Sequence, residues 1–203
     1  MKCDLHAEAP VLRIRGNSPE VACRVLFAAD PLSSALRSEE PNVPMHESAL
    51  KSPGFTIRPA VDRDFEEWKP LWDGYNAFYG RHGPTALPIE VTRATWSRFH
   101  DANVPMGALV AEGGGRLVGL AHYILHASTN QVAQVCYLQD LFTDPAARGQ
   151  GIGEALIEAV YERARALGCR RVYWQTHETN AIARRLYDQV AERSGFIVYR
   201  KDV

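Results

Sequence analysis

The chain has 203 residues, 46% of them hydrophobic, enough apolar material for one compact domain and thin for two. Its formal net charge of −1 supplies no overall field that would draw it to nucleic acid or to an anionic membrane surface. Cys3, Cys23, Cys136 and Cys169 are scattered, with no CxxC pair and no Cys/His cluster at metal spacing. The expectation is therefore reduced thiols in a cytoplasmic protein with no metal. No apolar run reaches membrane-spanning length, and the first residues lack the ordered basic, apolar and small-residue sections of a signal peptide.

Residues 1–52 differ in texture from the rest. Pro10, Pro19, Pro31, Pro41 and Pro44 interrupt them, serines cluster, and beyond a candidate short helix around Pro19 to Ala29 no period of 2 or 3.6 is sustained. This segment reads as a disordered leader, with Met45 a candidate true start, and the folded domain is expected over 53–203. FTIRPA (55–60) alternates as a strand, and Asp62 is placed to cap the helix that follows. Pro70 lies inside that helical pattern and predicts a kink or a break into two helices. GRHGP (80–84) is a turn by composition, and 88–103 returns to helical spacing with Ile89, Val91, Trp96 and Phe99 as apolar positions.

Two strands, 106–112 and 116–126, are joined by Gly113, Gly114 and Gly115, a hairpin signal. A third long strand covers 133–143. A helix from Gly151 to Leu167 buries Ile152, Ala155, Leu156, Ala159 and Val160 and ends at Gly168. RRVYWQTH (170–177) is predicted as a strand, Asn180 as the cap of a last helix, and GFIVYRK (195–201) as a closing strand. The order β-αα-βββ-α-β-α-β predicts an α/β fold of the α+β kind, a mixed, mostly antiparallel sheet flanked by helices.

The stretch TDPAARGQGIGEAL (143–156) carries the strongest chemical signal. The first amides of a helix lack intrahelical partners and the macrodipole is positive there, so an anion is stabilised. Gly149, Gly151 and Gly153 allow close approach, and Arg148 adds a permanent cation. A bare strand-to-helix turn needs fewer glycines. Gly153 is followed by Glu154 and Ala155 rather than Lys and Ser/Thr, which excludes a Walker loop. A GxGxG spacing late in the chain likewise fits a nicotinamide-binding turn poorly.

Arg148-Gly149-Gln150-Gly151-Ile152-Gly153 resembles the acetyl-CoA motif (Q/R)xxGx(G/A) of the GNAT superfamily of N-acetyltransferases. YLQDLFTDP (137–145) resembles that family's central strand, and Asn180, Ala183, Leu186 and Tyr187, followed by Gly195 and Phe196, its last helix and closing strand. WxxLWxxYNAFYG, YLQDLF and VYWQTHETN resemble the branch that contains histone and polyamine acetyltransferases. The resemblance implies acetyl-CoA as acetyl donor and an amine as acceptor. The amides of Gly149, Gln150, Gly151, Ile152, Gly153 and Glu154 would hold the pyrophosphate, and the backbone of Leu141, Phe142 and Thr143 would pair with the pantetheine arm. Asn180 and Ala183 would contact the cofactor, and Tyr187 would protonate the leaving thiolate, as a weak acid within reach of developing negative charge should. A homodimer through the C-terminal strand is implied as well.

The acceptor side is less defined. An amine must be neutral to attack a thioester, so its proton needs a destination. The polyamine branch often has a glutamate where this chain has Gln139, and an amide is no base. Asp140 is adjacent, but strict alternation puts it on the opposite face. A water relay, His177 and Glu178 are the other candidates. Trp68, Trp72, Tyr75 and Tyr79 share one helical face, a core stripe from which Trp72 and Tyr79, with Gln139 and Asp140, are candidate acceptor contacts. His82, His122, His126 and Cys136 read as structural. Two function classes stay open here: an acetyl-CoA-dependent N-acetyltransferase, and a catalytically silent CoA-binding regulatory module on the same fold.

Overall fold

The computed structural model describes residues 54–203; the leader and the start at Met45 lie outside the described residues. Strand β1 (Phe55–Pro59) leads through a short 3-10 turn into helices α1 (Phe65–Phe78) and α2 (Ile89–Phe99). Strands β2 (Met106–Gly113), β3 (Arg116–His126) and β4 (Val135–Thr143) follow, then helix α3 (Ile152–Ala166), the short strand β5 (Val172–Tyr173) and helix α4 (Ala181–Val190). The strands form one five-stranded sheet in the order β1-β2-β3-β4-β5. All neighbours are antiparallel except β4 and β5, which run parallel. This is the mixed, mostly antiparallel sheet flanked by helices that the sequence predicts.

The β2–β3 hairpin closes on Gly114 and Gly115, whose φ values of 61° and 76° put both in the left-handed region that a two-residue primed turn demands. One sheet face packs on α3: Leu138, Ala121, Ile152, Leu156 and Val160 are among its buried residues, with Leu186 and Tyr187 of α4 against them. The other face carries α1, where Trp68, Leu71, Trp72 and Tyr75 bury against Val110 and Leu120. The sheet thus has a helical layer on each side, and β4 is exposed to both.

Three local expectations are corrected. Helix α1 runs through Pro70 as one helix, which corrects the expected break into two. The ring removes only the bond to the Glu66 carbonyl, near the helix start, and burial of Trp68, Leu71 and Trp72 on either side outweighs that single loss. Asp62 does not cap α1. The carboxylate at work is that of Asp64, which is buried, accepts from the Val61 amide at 2.9 Å and pairs with Arg58; the guanidinium holds its carboxyl below the usual range. The third correction concerns the C-terminal end. The strand predicted over 170–177 shrinks to Val172–Tyr173, and residues 195–201 form no strand. Phe196 and Tyr199 are 91% and 87% exposed. A strand needs a partner ladder, and β5, two residues long, offers almost no edge to build on.

Candidate active site

The site is organised by the two sides of β4. Past Tyr137 and Tyr173 the parallel pairing stops, while β4 continues to Thr143 against β3 alone. The backbone of Leu141, Phe142 and Thr143 therefore has an open edge facing the gap left by β5. Arg148 folds over the exit of the strand: its Nε donates to the Thr143 carbonyl at 3.2 Å and its guanidinium lies 5.8 Å from the Phe142 ring centre.

The turn after β4 ends in an uncapped helix. Gly149 and Gly151 have φ of 78° and 81°, conformations that favour glycine, and Gly151 is the N-cap of α3 without any side-chain cap. Ala155 is the first residue of α3 whose amide pairs, with the Gly151 carbonyl. Among the described residues the amides from Gly149 to Glu154 have no acceptor. Gln150 and Glu154 are exposed, whereas the Ile152 side chain is core, so only its amide is offered to a ligand. Gly153 serves packing: a Cβ there would sit 3.3 Å from Leu186 of α4. Helix α4, by contrast, is capped in the ordinary way. The Asn180 side chain accepts from the Ala183 amide at 3.4 Å and donates to Thr176 at 3.3 Å. Both residues are thereby engaged in local structure.

Tyr187 of α4 packs on the α3 side, edge-on to Trp174 at 5.4 Å. Burial, then the nearby Tyr79, push its phenol up to about 12. The hydroxyl thus stays protonated across the physiological range, the state a proton donor requires.

On the α1 side, β4 departs from regular alternation. His122 opposes Asp140 while Tyr123 opposes Leu138, so Gln139 is the extra residue of a β-bulge. Cys136 and Leu138 face α3, yet Asp140, of the same parity, faces α1. The bulge thus turns Asp140 to the face that alternation denied it, and the expectation from strict alternation is corrected. Gln139 itself is exposed.

Asp140 sits at the end of a buried polar chain. The Trp68 Nε1–H donates to His122 Nε2 at 2.9 Å, and an indole is a donor only. His122 must then carry its proton on Nδ1, which donates to the Asp140 carboxylate at 3.0 Å. His122 is fully buried and Asp140 nearly so. Burial first, then the charge of Asp140 and hydrogen bonding to it, drive the Tyr75 phenol far above its ordinary value, and Tyr79 and Tyr137 are raised by burial and the same carboxylate. The charge of one carboxylate is thus felt by all three tyrosines.

Trp72 stacks on Tyr75 at 5.4 Å, and its buried Nε1–H has no partner among the described residues. His177 and Glu178, the alternative bases, are exposed; His177 bonds Thr179 at 2.7 Å and the Glu178 carbonyl takes Arg184. Cys136 is buried, and burial pushes its thiol up to about 12, which suits a core residue and not a nucleophile. Among the described residues no helix is long and apolar enough to cross a membrane. Sequence reasoning missed the His122–Asp140 link and Arg81, described below; cross-strand register leaves no trace in one sequence.

The model of the acetyltransferase (GNAT) family matches residues 68–191. The chain belongs to that family. This acetyltransferase is 36% identical to a D-amino-acid N-acetyltransferase of Saccharomyces cerevisiae over 72% of its own length and 89% of the relative's. It is 30% identical to the N-acetyltransferase YhfO of Bacillus subtilis over 70% and 94% of the two chains. Among solved structures, a transcriptional regulator of Bacillus halodurans shares the fold at a TM-score of 0.63 and 26% identity, covering 73% of this chain and 99% of that one. The acetyltransferase is an acyltransferase enzyme. These relatives do not speak for the histone and polyamine branch that the motifs resemble.

Proposed function

We propose that the protein transfers the acetyl group of acetyl-CoA directly to a small primary amine in a ternary complex. The observation that carries this reading is the run of unpartnered amides from Gly149 to Glu154 beside Arg148, at the exit of the strand that carries Asp140. Those amides and Arg148 would hold the CoA pyrophosphate, and the open edge of β4 at Leu141, Phe142 and Thr143 would take the pantetheine arm as an added strand. Asn180 and Ala183 would support α4 rather than bind the cofactor through their polar atoms, since these are already engaged.

Asp140 is the group we assign to the acceptor's ammonium. His122 and Trp68 hold the carboxylate in place. In a buried site an ion pair is poorly solvated, so moving the proton from nitrogen to the carboxylate, which leaves two neutral groups, costs less than in water. The neutral amine then attacks the thioester carbonyl, a C–N bond forms, and the C–S bond breaks. Tyr187 gives its proton to the departing sulfur and recovers one from the acetylated nitrogen. The unpartnered Trp72 Nε1–H, a deficit of about 1–3 kcal/mol, would gain a partner if an acceptor atom reached it. The yeast relative's name puts free amino acids first among acceptors to test.

The silent CoA-binding module is not favoured, because the domain carries both a protonated phenol at Tyr187 and a positioned carboxylate at Asp140. Phe196, Ile197, Val198 and Tyr199, all exposed, support association of two copies through the C-terminal segment, and Cys136 and Cys169 as free thiols fit a reducing cytoplasm. The test of the activity is steady-state turnover of acetyl-CoA with polyamines, amino acids and lysine peptides. Saturable acetylation of at least one class is expected; CoA binding without turnover on any amine would overturn the reading.

A further inference from the structure

Arg81, just past α1, has no part in the reaction as written above, yet it is held with unusual care. Its Nε–H donates to the Asn76 side-chain oxygen at 2.7 Å. Asn76 is only 3% exposed and is itself pinned by donating to the Trp72 carbonyl at 2.8 Å. The Arg81 amide also bonds the Asn76 carbonyl at 2.9 Å. The guanidinium lies 5.6 Å from the Tyr79 ring centre and 5.9 Å from that of Tyr75. No carboxylate pairs with it among the described residues, and neither Nη group has an acceptor there. A half-buried guanidinium that is fixed at one edge and unoccupied at the other presents the fork that matches a carboxylate.

The tyrosines link this cation to the acceptor anchor. Tyr75 stacks on Trp72, Trp72 lies 5.3 Å from His122, and His122 bonds Asp140. Tyr75 and Tyr79 thus have the free guanidinium of Arg81 beside their rings and feel the charge of Asp140, with the orphan Trp72 Nε1–H as a further buried donor. A polyamine has nothing to offer Arg81 and would be repelled by it. A zwitterion satisfies both ends.

We propose that Arg81 binds the carboxylate of the acceptor, so that the enzyme acts on free amino acids in preference to amines that lack a carboxylate. The proposal rests on the acetyltransferase reading of the same site. Arg81 is a specificity-determining residue in it, remote from the acetyl transfer itself.

The test compares phenylalanine of either hand with 2-phenylethylamine, which differs only in lacking the carboxylate, in the wild-type enzyme, Arg81→Gln and Arg81→Lys. The wild type is expected to favour one phenylalanine enantiomer over the amine in kcat/KM. Arg81→Gln should raise the KM for that amino acid roughly 10- to 100-fold, the scale of a charge-assisted bidentate contact, and leave phenylethylamine kinetics unchanged. Arg81→Lys should recover part of the loss. Equal losses with both acceptors, or a wild type that prefers phenylethylamine, would overturn the proposal while leaving the acetyltransferase intact. Acetylation of neither compound, with turnover on polyamines or peptides instead, would also overturn it, and turnover on no amine would remove the underlying reading.

Discussion

The two sides of β4 were built by different means. On the proposed donor side, what the structure offers is backbone: unpartnered amides at the start of α3, glycines at φ near 80°, and an open strand edge. On the proposed acceptor side it is side chains, from α1, β3 and β4, with Asp140 turned to that face by a bulge at Gln139. Backbone recognition tolerates almost any side chain at the exposed positions and demands glycine at a few. Side-chain recognition instead depends on which residues the fold happens to oppose. If the proposed function holds, the cosubstrate is read with the main chain and the acceptor with side chains, and substitutions should separate along that line.

The largest separation is expected where the two sides meet. Replacing Tyr187 with Phe should lower kcat by about 100- to 10,000-fold, the range for a positioned proton donor, with acetyl-CoA affinity by calorimetry retained; an unchanged kcat at saturating acceptor would remove Tyr187 from the chemistry. Next comes Arg148→Glu, which should raise the KM for acetyl-CoA roughly 10- to 100-fold, the cost of losing charge-assisted contacts to phosphate, and leave the acceptor KM in place. A parallel rise in both would mean that the donor and acceptor sides are not separable.

Asn180→Ala sharpens the contrast between the two helix ends. The capped end of α4 should lose about 1 kcal/mol of stability in urea, whereas substituting the uncapped turn before α3 should act on cofactor binding. A larger fall in acetyl-CoA affinity than in stability would show that Asn180 does touch the cofactor. The smallest effect concerns pH. The Tyr187 phenol sits near 12 in the folded protein against 10.0 ordinarily, so it remains protonated and its contribution to stability is full below about pH 10, fading as pH rises toward 12. The alkaline limb of kcat assigned to Tyr187 should therefore fall only as pH approaches about 12 in the wild type and vanish in Tyr187→Phe; a limb near neutrality removed by that substitution would contradict the burial argument.

Much of this was legible in the sequence, for a physical reason. The donor turn needs particular residue types at fixed spacing along one stretch, and Arg148, Gly149, Gly151 and the start of α3 at Ile152 are all local. So are the Gly114–Gly115 turn and the Asn180 cap. The acceptor side is non-local. Asp140 reaches His122 only because one residue is extruded from the β3–β4 ladder, and nothing in YLQDLF announces the bulge. Arg81 gained meaning only once Asn76 was seen to hold it. The closing strand failed for a related reason: GFIVYRK has the alternation and the residues of a strand, but pairing depends on an edge that the sequence cannot count.

The central claim is that Asp140, and not a residue of the loop at His177 and Glu178, receives the acceptor's amine. The direct measurement is Asp140→Asn, which keeps an oxygen to accept from His122 Nδ1–H, with kcat/KM for the preferred amine and the acetyl-CoA dissociation constant determined on the same preparation. A fall of about 100-fold or more in kcat/KM with unchanged acetyl-CoA affinity is the predicted result. Unaltered acceptor kinetics, or a loss that follows acetyl-CoA affinity, would contradict it.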